Sequence, residues 1–201
     1  MLEPAQSTVR QLGFDPIATA TTLDERLQRI YVLSEELAVN ELVSAIYVGY
    51  DNGDFVLARP LDRPEVRRRF DAPPMANFLV QSVTQQADGS RRGEYRFFTA
   101  DRKEILRRPQ PDYQFDPRTR PWYLDAKAAG TIAITAPYIS SSLKKQVVTI
   151  AEPVMVSGRL HGVVAANLTI EQLTDAVLKL KVPGDGYGIM VQKTGLIISH
   201  P

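Results

Sequence analysis

The sequence predicts an α+β domain: an antiparallel sheet with helices packed against it. Three observations carry this. The first 40 residues show apolar positions at helical spacing on one side. Short β-rich runs then come in pairs separated by turn residues. After residue 131 the chain becomes densely apolar and β-branched for almost 40 residues before one more helical pattern.

Leu2, Ala5, Val9 and Leu12 share a helix face that Gly13 and Asp15-Pro16 interrupt. Thr22-Leu23-Asp24-Glu25 is a capping-box sequence, so helix resumes there, with Leu23, Leu27, Ile30 and Leu37 extending the stripe. Residues 44–50 and 55–59 read as a hairpin around Asp51-Asn52-Gly53-Asp54, where Asn-Gly suits a type I′ turn. Those four residues superficially resemble a calcium loop, but the other ligands and the closing glutamate are missing. Residues 60–92 read as irregular to helical, with a short helix over 75–86. Residues 94–99 and 104–108 form a second strand pair, and 109–117 is a proline-studded crossing.

Residues 121–130 predict a helix opened by Pro121. Strands follow over 132–138, 146–155 and 160–169, then a helix over 170–180 capped by Thr169. Residues 182–186 read as a linker, and 189–192 with 196–199 as a hairpin with nothing after it. Such an ending predicts that the chain is a piece of something longer.

A formal charge of +1 gives the chain no reason to seek nucleic acid or an anionic membrane surface. Arg67-Arg68-Arg69, Arg91-Arg92 and Arg107-Arg108 read as solvated faces. With no cysteine, thiol catalysis, thiolate metal sites and disulfides are excluded. No run of about 18 apolar residues is present to span a membrane, and no signal-peptide pattern stands at the start. Of the two histidines, His161 falls in a turn over 157–162 and His200 at the chain end, so neither a metal site nor a haem ligand is implied. A nucleophile elbow and a phosphate loop are also missing. The reading is therefore no enzyme, no metal and no cofactor.

Attention falls on Phe115-Asp116-Pro117-Arg118-Thr119-Arg120-Pro121-Trp122-Tyr123, which holds the sole tryptophan. Arg120 can grip a carboxylate in two parallel hydrogen bonds. Trp122 and Tyr123 can wall a pocket. The alternative is a Trp-Tyr core plug beside two solvated arginines.

This stretch, with Thr135-Ala136-Pro137-Tyr138, Gly162-Val163-Val164-Ala165-Ala166-Asn167-Leu168 and the closing Gly195-Leu196-Ile197-Ile198-Ser199-His200-Pro201, resembles the double Cache family. These are extracytoplasmic sensor regions of bacterial chemoreceptors, histidine kinases and cyclases. The resemblance implies a PAS-like sheet with an N-terminal stalk helix at 1–40 that mediates homodimerisation. It implies a membrane-distal module at 41–181 and the start of a membrane-proximal one at 182–201. Membrane-spanning helices and a cytoplasmic output domain would lie outside the chain.

The family's amino-acid-binding members use a Tyr, Arg, Trp-Tyr, Tyr and Asp pattern, which implies ligand-binding roles for Arg120, Trp122, Tyr123 and Tyr138. The first tyrosine falls on Phe115 and the aspartate on Asn167, while Ser140 stands where an acid is often found. An ammonium buried there without a carboxylate suffers a desolvation penalty of several kcal/mol. The expected ligand is thus a small carboxylate-bearing metabolite rather than an α-amino acid. A ligand-free, cytoplasmic PAS-like regulatory or dimerisation module is the competing reading.

Overall fold

A computed structural model describes residues 2–180, 188–191, 195 and 197–199. Three helices open the chain: α1 (Glu3–Gly13), α2 (Leu23–Leu27) and α3 (Ile30–Val39), with a 3-10 turn at Pro16–Thr19 after α1. The helical run is broken twice, at Pro16 and again between Leu27 and Ile30. The predicted capping box is present, Thr22 Oγ1 accepting from Glu25 N while the Glu25 carboxylate accepts from Thr22 N.

Strands β1 (Ala45–Tyr50) and β2 (Phe55–Pro60) form the first hairpin. Its turn differs from the expected type I′. Gly53 alone takes a positive φ (+92°), and Asn52 instead accepts from Asp54 N through its side chain at 2.9 Å. After α4 (Pro64–Arg69) come β3 (Phe78–Gln85), β4 (Arg91–Phe98) and β5 (Glu104–Pro109). The helix expected over 75–86 is therefore a strand. It lies between β2 and β4 and buries both faces from Leu79 to Val83, so no alternation marks it.

A 3-10 turn at Pro117–Thr119 leads into α5 (Pro121–Ala129). The single strand expected over 132–138 is two short pieces, β6 (Ala133–Ile134) and β7 (Tyr138–Ile139), separated by a segment containing Pro137. Then β8 (Gln146–Val156), β9 (Arg159–Thr169) and α6 (Ile170–Leu178) complete the module. His161 is on β9, not in the turn before it, and is half-buried. A separate pair, β10 (Met190–Val191) and β11 (Ile197–Ser199), matches the expected final hairpin. The linker expected over 182–186 lies outside the described residues.

The main sheet is antiparallel throughout, in the order β5-β4-β3-β2-β1-β9-β8-β6, with β7 also on β8. One face is covered by α1–α3, whose Val9, Leu12, Leu33 and Leu37 pack on Ile46, Val48, Ile150 and Val164. Each such side chain, fully buried, contributes about 1.5–3 kcal/mol. The other face carries Tyr47, Phe55, Leu57, Ala151 and Ala165 under Trp122, Tyr123 and Ala126 of α5. Side chains alternate between these two faces, and the second one holds the candidate site.

The arginine clusters are not simply solvated. Arg67 donates to the carbonyls of Leu61, Pro73, Pro74 and Ala76, and Arg91 pairs with Asp116 at 2.7 Å. They tie loops to the sheet, which a charge run in a sequence does not announce.

Candidate ligand-binding site

The second sheet face is crossed by a strap, residues 110–120, that ends in α5. Asp116 fixes it. Its carboxylate accepts from Arg118 N, Nε and Nη2 at 2.9–3.0 Å and from Arg91 Nη2 at 2.7 Å. These bonds, the Arg118 side chain foremost, hold the Asp116 carboxyl well below the usual carboxylate range despite burial. Close approach at β1 seats the strap. A Cβ on Gly49 would lie 2.5 Å from Pro117 Cβ and 2.7 Å from Trp122 Cη2, so only glycine fits.

Between strap and sheet lies a cleft walled by Tyr113, Phe115, Arg120 and Trp122, with Tyr47, Phe55 and Leu57 beneath and Tyr138, Ser140, Ser141, Ser142 and Asn167 at one end. It is nearly closed. The cavity is about 20 Å³, space for little more than one water. The aromatic wall is continuous: Phe115 lies 4.6 Å from Phe55 and 5.9 Å from Tyr113, ring centroid to centroid, and Trp122 stands edge-on to Tyr47 at 4.9 Å. The Arg120 guanidinium is 5.8 Å from the Phe115 ring centre and has no hydrogen-bond or ion-pair partner among the described residues.

The polar end of the cleft has a fixed proton order. Asn167 Oδ1 accepts from Tyr47 Oη at 2.5 Å and from Thr149 Oγ1 at 2.6 Å. Such lengths suit O–H···O and are too short for N–H···O, which places the amide oxygen, not the nitrogen, toward the hydroxyls. Thr149 has one proton and gives it to Asn167, so in the 2.8 Å contact Tyr138 donates to Thr149. Both lone pairs of Oδ1 are then used. The Asn167 NH2 has no acceptor among the described residues, and the cleft receives a donor there. Burial raises the phenols of Tyr47 and Tyr138, so both stay protonated at neutral pH.

Of the residues singled out in the sequence, Phe115, Arg120, Trp122, Tyr138, Ser140 and Asn167 line this cleft. Tyr123 does not. It packs edge-on to Trp122 with its phenol pushed up to about 12, by burial first and then by Asp51, on the side away from the cleft. Sequence reading passed over Tyr47, Thr149, Tyr113, Ser141 and Ser142. The signal for Tyr47 and Thr149 was a lone hydroxyl inside an apolar strand, where a buried polar group needs a partner. A second cavity, about 850 Å³, opens at the far end of the sheet beside α3, α4 and α6, with Arg59 and Leu143 on its wall.

The antiparallel sheet, the aromatic strap and the cleft between them are the architecture of a sensor module. Residues 15–201 match the model of the family described as Cache domain, and the chain belongs to that family. The methyl-accepting chemotaxis protein PscA of Pseudomonas syringae is 38% identical over 43% of the chain and 14% of PscA. PctB of Pseudomonas aeruginosa, another methyl-accepting chemotaxis protein, is 36% identical over 72% of the chain. The alignment takes in 21% of PctB, so the chain spans less than a quarter of the length of these relatives. The solved ligand-binding domain of PctB, in complex with L-Arg, superposes with a TM-score of 0.60 at 21% identity. That match covers 100% of this chain and 63% of the solved one. No helix among the described residues is long and apolar enough to cross a membrane.

Proposed function

We propose that the chain is the extracytoplasmic sensor segment of a transmembrane receptor and binds a small carboxylate-bearing metabolite in the strap cleft. The observation that carries this is Arg120, a guanidinium on the aromatic wall with no partner among the described residues, in the same cleft whose polar end presents the N–H groups of Asn167. Arg120 takes the carboxylate and Asn167 a second acceptor atom. The PctB domain is solved in complex with L-Arg, but here no carboxylate among the described residues lines the cleft to compensate an ammonium. The 41–181 segment is the distal module in this reading, and membrane anchors lie outside the chain. The stripe of α1–α3 is spent on the sheet, so a homodimer uses their outer side, where Val39 of α3 is exposed, as is Phe14 just past the end of α1. Ligand binding shifts a two-state equilibrium only through its different affinity for the two states.

The nearly closed cleft favours one other reading, a ligand-free PAS-like regulatory or dimerisation module. A thermal-shift screen of the 201-residue chain against organic acids, amino acids and amines separates the two. An acid that raises Tm in the native chain and not in Arg120→Ala supports the sensor. Stabilisation by an amine lacking a carboxylate reverses the assigned polarity, and no shift from any compound favours the ligand-free module.

A further inference from the structure

Arg59 is 1% exposed and has no carboxylate partner among the described residues. Its one hydrogen bond runs from Nη2 to Ser142 Oγ at 2.8 Å, its Nε is buried with no acceptor, and its guanidinium lies 5.0 Å from the centre of the Phe70 ring. Burial pulls it down to about 10, so it remains a cation at neutral pH. A second guanidinium converges on the same residue, Arg69 Nε donating to the Ser142 carbonyl at 2.5 Å, again with no acid in contact. On the adjoining strand Gln81, beside Tyr95, has neither amide atom in a hydrogen bond of normal geometry although it is fully buried. Arg69 is exposed to solvent, but Arg59 is a fully buried cation with no anion among the described residues, a costly arrangement for a site with no other purpose.

The position of this cluster connects it to the cleft. Leu57 and Arg59 stand on one face of β2, and Leu57 lines the cleft floor. Continuing the β1–β2 register one residue past Ile46↔Ala58 sets Arg59 beside Ala45, whose other neighbour is Asn167. Ala45 is thus the one small side chain that stands between the two polar ones. Tyr113 lies within the electrostatic reach of both Arg59 and Arg120. The partition is the 140–142 segment: Ser142 lines the cleft, and Leu143 beside it lines the larger cavity that Arg59 also borders.

We propose that the cleft extends past Ser142 to a second anion subsite at Arg59, and that the ligand is a small dicarboxylate held by Arg120 at one end and Arg59 at the other. This rests on the carboxylate reading of Arg120. Displacement of the 140–142 segment joins the two subsites, and the second carboxylate neutralises Arg59 and Arg69 together. The charged hydrogen bonds that form make the dianion the preferred ligand.

Titration calorimetry with succinate and butyrate, equal in carbon number, tests it on the native chain, Arg59→Met and Ser142→Ala. Succinate should bind the native chain at least about tenfold more tightly than butyrate. Arg59→Met should bring the two level while leaving butyrate affinity unchanged, which also shows that the variant is folded. Equal affinities in the native chain, or a preference that survives Arg59→Met, overturn the second subsite and leave the Arg120 grip standing. Should Arg59→Met fail to fold, Ser142→Ala serves instead: it frees the Arg59 Nη2 donor, so the succinate preference should widen, and a preference no larger than the native one overturns the subsite. Binding of neither acid removes the carboxylate reading and the subsite with it.

Discussion

Arg26 donates from Nη1 to Asp54 Oδ2 at 2.8 Å in a pair whose side chains are 1% and 8% exposed. Nε and Nη2 of Arg26 donate to the carbonyls of Ala20 and Thr21, and its guanidinium lies 3.8 Å from the centre of the Tyr50 ring. Asp54 in turn accepts from Gln85 N and Asn52 Nδ2. One pair thus joins the N-terminal helices, the first hairpin turn and β3. Arg26→Met leaves Asp54 charged and buried without its cation, at a cost of about 3–5 kcal/mol. Thermal unfolding should show a Tm lower by roughly 10 °C. Adding Asp54→Asn removes the stranded charge, so the double variant should lose less than the sum of the two single changes. Strict additivity would show that the pair does not interact as described.

What could be read from the sequence was what local chemistry specifies. The caps at Thr22 and Thr169, the start of α5 at Pro121 and the hairpin at Gly53 all follow from a few neighbouring residues. Strand β3 was not legible because a doubly buried strand has no period of two, and Phe78-Leu79-Val80-Gln81-Ser82-Val83 fits a helix equally well. Arg26, Arg59 and Arg67 were hidden for a different reason. An arginine becomes internal only through partners 5 to 83 residues away in sequence, and nothing in its surroundings along the chain records that. The same holds for the site. Arg120 and Trp122 announce themselves within one motif, whereas the Tyr47–Asn167–Thr149 network exists only once β1, β8 and β9 are side by side.

Asp116 makes the strap sensitive to acid. Hydrogen bonds from Arg118 and then Arg91 keep its carboxyl ionised in the folded chain to a lower pH than the unfolded value of about 3.9. The folded state therefore binds fewer protons than the unfolded one. Its stabilisation is complete above about pH 5 and is lost as pH falls through 4 toward the folded-state value. Asp116→Asn should lower stability at pH 7 by about 1–3 kcal/mol. The difference from the native chain should shrink in unfolding curves recorded below pH 4. A gap that stays constant from pH 7 to pH 3 would mean that the carboxylate charge is not what holds the strap.

In the proposed binding mode Asn167 sets which ligand charge the cleft accepts, because its oxygen is already committed to Tyr47 and Thr149. Asn167→Asp keeps the size of the side chain and both incoming hydroxyl bonds, but replaces the free N–H2 with a carboxylate oxygen. A negative charge now faces the space beside Arg120, and an acceptor atom on the ligand meets repulsion where it met a donor. Simple carboxylates should then bind about 10- to 100-fold more weakly, a change of roughly 1.4–2.8 kcal/mol. α-Amino acids gain a partner for their ammonium and should bind more tightly than they do to the native chain. Calorimetry with butyrate and L-alanine on both forms reads the two changes at once. A variant that loses butyrate without gaining L-alanine would show that residue 167 does not set the ligand's charge at that end of the cleft.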